Sequence, residues 1–349
     1  MEKKITKPVK VGDLYIGGGA PIVIQSMTNT KTSDVSATLE QIQALAAEGC
    51  QLVRLAVPTR ADAKFFGQIK KRSPLPMVAD IHFDYRIAMD ALHAGADKIR
   101  INPGNINNGL EELIREIKHY KVPIRIGVNG GSLSSEIISK MGNTAAAMVE
   151  SARIHIERLN ALDFDDIVVS LKSSSVIRTT EACRFFRDIF PHPLHLGVTE
   201  TGPLLPGCIK SAVGIGSLLL DGIGDTVRVS LSADPVEEVI AAKHILRASG
   251  LTVDGVDIIS CPKCGRCKVD LLGVAEAVSA RAKTIKFPLK IAVMGCSVNG
   301  PGEAKEADIA ICGGEADMWS LFASGNFIKR VPQTDIIETL FSEINERYK

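Results

Sequence analysis

The feature that most constrains this chain is a rhythm: within the first 250 residues, short apolar, β-rich runs alternate with helical stretches eight times. The strand-like runs are Ile22 to Met27, Leu52 to Val57, Met77 to Ile81, Lys98 to Asn102, Ile124 to Val128, Ile167 to Lys172, Leu194 to Thr199 and Thr226 to Leu231. Between them apolar residues recur at helical spacing, as in Val35, Leu39, Ile42 and Leu45 ahead of Gly49, or Val236, Val239, Ile240 and Ile245 ahead of Gly250. Strand then helix, repeated in this way, predicts a (β/α)₈ TIM barrel, because each helix buries its apolar stripe on the sheet it has just left. A doubly wound open sheet is the rival, but it normally needs fewer strands and a Gly-rich turn after the first of them. A short hairpin, Val9 to Gly17 turning at Gly12-Asp13, comes before the first run.

From Leu251 the rhythm changes. Val256 to Ser260 and Lys290 to Met294 read as strands that run straight into cysteines, with a helix from Val269 to Lys283 between them. A strand at Ile309 to Cys312 and a helix at Gln333 to Tyr348 complete a small α/β domain. The expected organisation is a barrel domain over 1–250 and a small α/β domain over 251–349 whose strands run into cysteines, and 349 residues at 45% hydrophobic content suffice for two cores.

Charge excludes some partners. With 41 basic and 40 acidic residues, no global field draws the chain to nucleic acid or an anionic membrane. No apolar run approaches the ~18 residues of a membrane span, and the charged N-terminus lacks a leader's apolar core. The expectation is a cytoplasmic protein, where clustered thiols stay reduced and bind metal more often than they form disulfides.

Charge also appears where it is least expected. Barrel strands are covered on both sides and should be apolar, yet Arg54, Arg100, Arg125, Lys172 and Arg228 each sit in or at the end of one. A single such residue is usually a strand-end side chain reaching solvent. Five like charges converging on one mouth repel unless an anion neutralises them, so a polyanionic, phosphate-bearing substrate is expected. Asp80, His82, Asn102, Asn129, Glu200 and Ser230 end the same strands, at the rim where barrel enzymes keep their active sites. The turn from Asn129 to Ser132 is a candidate backbone nest for phosphate. Glu200 and Asp80 are candidates for proton transfer, with His82 behind them, although an acid among arginines also serves simply to neutralise them. Met27 and Met77 read as core fillers, and the other histidines, His93, His119, His155, His192, His195 and His244, as residues of helices or connections.

Five of the eight cysteines, Cys261, Cys264, Cys267, Cys296 and Cys312, fall in the last quarter. Cys261-Pro-Lys-Cys264-Gly presents two sulfurs to one centre. A zinc ribbon would need a second paired knuckle, but Cys296 and Cys312 stand sixteen residues apart. A cubane iron-sulfur cluster accepts a CxxC pair, one further cysteine and a non-cysteine ligand, and on spacing alone Cys267 and Cys296 are both open as the third sulfur.

These segments carry a resemblance. Ser260-Cys-Pro-Lys-Cys-Gly-Arg266, Met294-Gly-Cys-Ser-Val-Asn-Gly-Pro-Gly-Glu-Ala304, Gln25-Ser-Met-Thr-Asn-Thr30, Ala79-Asp-Ile-His-Phe83, Arg100-Ile-Asn-Pro-Gly-Asn105 and Arg125-Ile-Gly-Val-Asn-Gly-Gly-Ser132 resemble, in order and spacing, the 4-hydroxy-3-methylbut-2-enyl diphosphate synthases of the non-mevalonate isoprenoid pathway. The resemblance is to the two-domain bacterial form. It implies one 4Fe-4S cluster per subunit, held by Cys261, Cys264, Cys296 and the carboxylate of Glu303, which leaves Cys267 and Cys312 outside the ligand set. It implies reductive opening and dehydration of 2-C-methyl-D-erythritol 2,4-cyclodiphosphate, with electrons from reduced flavodoxin or ferredoxin. The cyclic diphosphate is the compact anion that the five cations call for, and a carboxylate is the more easily displaced ligand. The eighth helix returns the chain to the N-terminal face of the barrel, away from the mouth. The resemblance answers this with a head-to-tail homodimer, in which one subunit's cluster domain serves the other's barrel. The alternatives are a redox-inactive, pterin-synthase-like barrel with a structural zinc tail, and a zinc-knuckle RNA-binding module, which balanced charge and 5% aromatic content disfavour.

Overall fold

The computed structural model describes residues 5–81, 84–101, 109–251, 254–298, 300–315 and 317–348. His82 and Asn102 lie outside them. The chain divides into two compact units, Met1–Gly250 and Leu251–Lys349.

The first unit opens with an antiparallel hairpin, β1 (Val9–Val11) and β2 (Leu14–Ile16), turning at Gly12 with φ of +57°. Eight parallel strands follow: β3 (Val23–Met27), β4 (Leu52–Ala56), β5 (Met77–Asp80), β6 (Lys98–Ile101), β7 (Ile124–Asn129), β8 (Ile167–Lys172), β9 (His195–Leu196) and β10 (Thr226–Val227). Strands β3 to β8 pair in sequence order, β10 pairs with both β9 and β3, and a bridge between Val169 and Leu194 joins β8 to the start of β9. The ring is the predicted TIM barrel.

Around it run α1 (Val35–Ala47), α2 (Arg60–Lys70), α3 (Tyr85–His93), α4 (Leu110–Tyr120), α5 (Ser135–Met141), α6 (Ala145–Asn160), α7 (Val176–Ile189), α8 (Leu204–Leu220) and α9 (Pro235–Ala248). Polar side chains start most of them. Asp34, Thr59, Asp84, Ser134, Thr144, Ser175 and Asp234 each accept a backbone N–H of the first turn. Leu39, Ile42 and Leu45 are buried as the periodicity predicts.

Inside the barrel, Val23, Leu52, Val78 and Val168 form an apolar layer that packs on Val9, Val11 and Ile16 of the hairpin. The hairpin thereby seals the N-terminal end, and what lies above that layer is not apolar.

Two strands are shorter than the sequence suggests. The ladders of β9 and β10 each stop after two residues, not at Thr199 and Leu231. Just past β9, only glycine fits at position 197: a Cβ there would stand 2.5 Å from Lys172 Nζ and 2.6 Å from the Arg228 carbonyl oxygen. The two segments close on side chains and on each other's loops instead, with the Thr201 hydroxyl donating to the Ser230 carbonyl and the Ser232 N–H to the Gly202 carbonyl at 2.9 Å.

The second unit is a five-stranded sheet. In it β11 (Val256–Ser260), β12 (Leu289–Met294) and β13 (Ile309–Gly313) are parallel, and β14 (Met318–Ala323) and β15 (Asn326–Pro332) continue antiparallel. Its helices are α10 (Leu271–Ala282), the single turn α11 (Gly300–Glu303) and α12 (Ile336–Tyr348). The β14–β15 hairpin is absent from the sequence reading. Its signals are present, however: Trp319, Leu321 and Ala323 alternate inward, and Ser324-Gly325 turns with φ of 47° and 75°. Among the described residues no helix is long and apolar enough to cross a membrane.

Candidate active site

Period two along a strand decides which side chains enter the barrel. On β6 it sends both Lys98 and Arg100 inward. Register then sets Arg100 opposite Asp80 on β5 and opposite Arg125 on β7, while Asn129 pairs with Lys172 across β7 and β8. Lys98, Arg100, Arg125 and Lys172 are all buried, as is Asp80. Arg54 on β4 and Arg228, one residue beyond β10, complete a set of six cations.

Two carboxylates answer them. Asp80 Oδ1 accepts from Arg100 Nη1 at 3.0 Å, and its Oδ2 lies 3.6 Å from Arg54 Nε. The second carboxylate belongs to Glu238 of α9, which the sequence reading passed over. It is 4% exposed, accepts the Leu231 N–H at 3.0 Å and the Ser26 hydroxyl at 3.3 Å, and stands 3.4 Å from Arg228 Nη2. Its signal was an acid on the apolar stripe of a helix, between Pro235 and Ala242. Lys98, passed over in the sequence reading, stands two residues before Arg100 and deeper in the barrel, beside Val78.

Two expectations change here. Met27 is more than a core filler, since its sulfur accepts from Arg54 Nε at 3.1 Å and Nη2 at 2.8 Å. His195 lies on a strand, not in a helix or connection. It is fully buried in the barrel with Nδ1 2.6 Å from the Thr226 hydroxyl.

The electrostatics follow from this packing. Burial, and then neighbouring cations, hold Lys98, Lys172, Arg125 and His195 well below their ordinary values. Burial lowers Arg54 to about 10 despite the opposing pull of Asp80. Arg125 is the extreme case: its Nε and Nη1 are buried without a hydrogen-bond partner among the described residues. Buried donors are rarely left so, and an anion's oxygens are what such a guanidinium is shaped to receive.

The remaining rim residues are more open. Glu200 is exposed, with φ of 55°, a left-handed conformation unusual for a non-glycine residue. Ser230 offers its carbonyl to Thr201, and Asn129 opens a 3₁₀ turn in which the Ser132 hydroxyl donates to the Asn129 carbonyl at 3.3 Å.

In the second unit the cysteines gather at the C-terminal ends of the parallel strands. Cys261 follows β11 directly and its Sγ accepts the Gly295 N–H, which follows β12, at 3.2 Å. The Cys267 N–H bonds the Cys264 carbonyl at 3.0 Å, which curls the loop. Cys296 lies two residues past β12. Cys312 is different: it is buried on β13, and burial, then Cys296 and Cys261, push its thiol up to about 12. The Cys267 thiol donates to the Val269 carbonyl at 3.3 Å. Glu303, at the end of α11, is exposed.

Among the described residues no three His, Cys, Asp or Glu side chains converge tightly enough for a single metal ion. A multi-iron cluster holds its ligands further apart. Accessible Cys261, Cys264 and Cys296, one of them already receiving a backbone N–H, together with the exposed Glu303 carboxylate, form a donor set with that chemistry.

Residues 6–243 match the family model described as the GcpE TIM-barrel domain, and residues 257–346 that of the GcpE protein C-terminal domain. A relative from Thermodesulfovibrio yellowstonii, named 4-hydroxy-3-methylbut-2-en-1-yl diphosphate synthase (flavodoxin), is 50% identical over 349 residues, covering 99% of this chain and 100% of its own. One of the same name from Bacillus subtilis is 51% identical, covering 97% and 91%. Among solved structures, a sialic acid synthetase from Leptospira borgpetersenii aligns with a TM-score of 0.52 at 13% identity, over 71% of this chain and 91% of that one. The dihydropteroate synthase of Yersinia pestis aligns at 0.50 and 14%, over 70% and 98%. These distant likenesses speak for the fold alone.

Proposed function

This chain belongs to the GcpE family across both of its units, and from that premise we propose how its own residues carry the family's reaction. It is an iron-sulfur oxidoreductase that opens 2-C-methyl-D-erythritol 2,4-cyclodiphosphate reductively and dehydrates it to (E)-4-hydroxy-3-methylbut-2-enyl diphosphate, with flavodoxin as donor. The redox-inactive barrel with a zinc tail is disfavoured, because the match to relatives runs through the cysteine loops.

The observation that carries the assignment of the substrate site is the buried Arg125 with two unpartnered donors inside a ring of cations. Arg54, Arg100, Arg125, Lys172 and Arg228 bind the two phosphates, with Asn129 and Ser230 at the rim; Asn102, known here from sequence only, joins them. Asp80 holds Arg100 and Arg54 in place for that contact. Glu200 delivers the proton that lets the departing hydroxyl leave as water, and Asp80 and His82 are the secondary proton-transfer candidates, His82 on sequence grounds alone. When bound, a 4Fe-4S cluster held by Cys261, Cys264, Cys296 and Glu303, one per subunit, supplies the electrons that no side chain carries.

The active site is shared within a homodimer. A barrel helix runs antiparallel to its strand, so α9 ends at the rim opposite the cations. The helices α7 and α8 also expose Ile177, Phe185, Ile189, Leu205, Ile209 and Val213, apolar side chains that a second copy would cover. The cytoplasm, where these thiols stay reduced, is the compartment that suits the chemistry.

Anaerobic purification tests the reading. Brown protein that bleaches on reduction and turns over the cyclodiphosphate with reduced flavodoxin is expected; colourless protein with stoichiometric zinc overturns it. Glu200→Gln should abolish turnover and leave the visible spectrum intact. Mixed dimers of Arg228→Met and Cys296→Ser subunits should regain activity in one of two sites, and a fully inactive mixture would remove the shared site.

A further inference from the structure

Of the eight cysteines Cys264 alone is exposed, and its loop is positively charged. Lys263 and Arg266 flank it, both exposed, and neither makes an ion pair or side-chain hydrogen bond among the described residues. Lys268, also exposed, is held by Glu315 at 3.0 Å. No acidic residue lies between Cys261 and Lys268, and the whole chain carries only +1, so this charge is local. Two large apolar side chains border the same loops: Leu272, 56% exposed on the first turn of α10, and Val298, 66% exposed two residues past Cys296.

The substrate's anionic groups are met in the barrel, which leaves these cations without a role there. Free cations at the edge of a small apolar surface are the build of a transient encounter site: charge steers and orients the partner, and the contact stays small enough to release it. We propose that the loop from Cys261 to Lys268, with Leu272 and Val298, is the docking surface for the electron donor, a flavodoxin whose contacting surface is acidic. Lys263 and Arg266 face that surface's carboxylates, and each encounter passes one electron from the reduced flavin to the cluster. The inference rests on the reaction proposed above and deepens it.

The test uses the holoenzyme carrying both Lys263→Glu and Arg266→Glu. Its visible spectrum and its turnover with a small chemical reductant should match the unaltered enzyme. Its flavodoxin-dependent kcat/KM at low salt should fall about tenfold, a gap that closes as salt screens the charges, and calorimetry should show weaker flavodoxin binding. Unchanged flavodoxin affinity and kcat/KM overturn the proposal. So does an equal loss with the small reductant, which would assign the loop to the substrate side. Should the variant lose its cluster, the unaltered enzyme decides: salt must depress flavodoxin-dependent turnover and spare the small reductant, and equal sensitivity overturns the proposal. An unaltered enzyme without chromophore, or inactive with either reductant, fails the reaction itself.

Discussion

At the mouth of the barrel the functional side chains are buried, fixed by strand register and tied to partners on neighbouring elements, whereas at the ends of β11 and β12 the cysteines sit in short loops with few bonds of their own. Both regions occupy the C-terminal ends of parallel strands. Among the described residues the barrel mouth concentrates buried cations that outnumber their carboxylate partners. Among the described residues the cysteine loops are more open and hold no such concentration of buried charge. Substitutions in the first region should therefore separate binding from stability, while those in the second should separate the cluster from the fold.

The largest effect is expected at Cys296→Ser, which should remove both visible absorption and turnover and leave the thermal unfolding of the barrel unit unchanged. Loss of the barrel's transition as well would break the contrast between the regions.

Next is Arg125→Met. Two unpartnered charged donors are each worth about 1.5–3 kcal/mol to an anion, so KM for the cyclodiphosphate should rise a hundredfold or more, by order of magnitude. Because the variant removes a buried, unpaired cation, its melting temperature should hold or increase. A lower melting temperature with KM little changed would show that Arg125 is structural.

Glu238→Gln can still accept the Leu231 N–H at its amide oxygen and donate from its amide nitrogen to the Ser26 hydroxyl, but removes the charge facing Arg228. An increase in KM of about tenfold with little change in kcat is expected, of the size of one charge-assisted bond, and Glu238→Asp should recover part of it.

A smaller effect is readable by calorimetry with sulfate, which has no titratable proton at neutral pH. Burial and neighbouring cations depress Lys98 and Lys172 below 10.5, so the empty barrel holds fewer protons than the unfolded chain. Stability of the empty protein therefore rises with pH between the depressed values and 10.5, and is lost as pH falls through that window. An anion favours the charged lysines, so sulfate binding should take up protons and weaken as pH rises. An enthalpy independent of the buffer's ionisation heat would refute this coupling.

The smallest change belongs to Cys267→Ser. The Cys267 thiol bonds the Val269 carbonyl, so the variant should keep its chromophore and most of its activity; a colourless product would enter Cys267 in the ligand set.

Much of this was legible in order along the chain. The eight-strand alternation, the hairpin at Gly12 and the inward cations follow from periods of 2 and 3.6 and from turn residues, all local properties. What escaped was non-local. Glu238 becomes a mouth residue only because α9 packs against β3 and brings a helix acid to Ser26 and Arg228. His195 acquires its burial from the strands that surround it. The close approach of Lys172 and Arg228 to Gly197 likewise depends on strands distant in sequence. The β14–β15 hairpin was missed for a different reason, since its alternation and Ser-Gly turn were present in the sequence and weaker than the cysteine motifs beside them.

The sequence alone determined the architecture, the sign of charge at the mouth and the grouping of cysteines, because pattern and residue type act through the backbone that carries them. Only the tertiary structure decided which charges are paired and which are not. Asp80 goes to Arg100 and Arg54, Glu238 to Arg228, and two donors of Arg125 to no partner among the described residues, because pairing depends on distances across a barrel that no local pattern encodes.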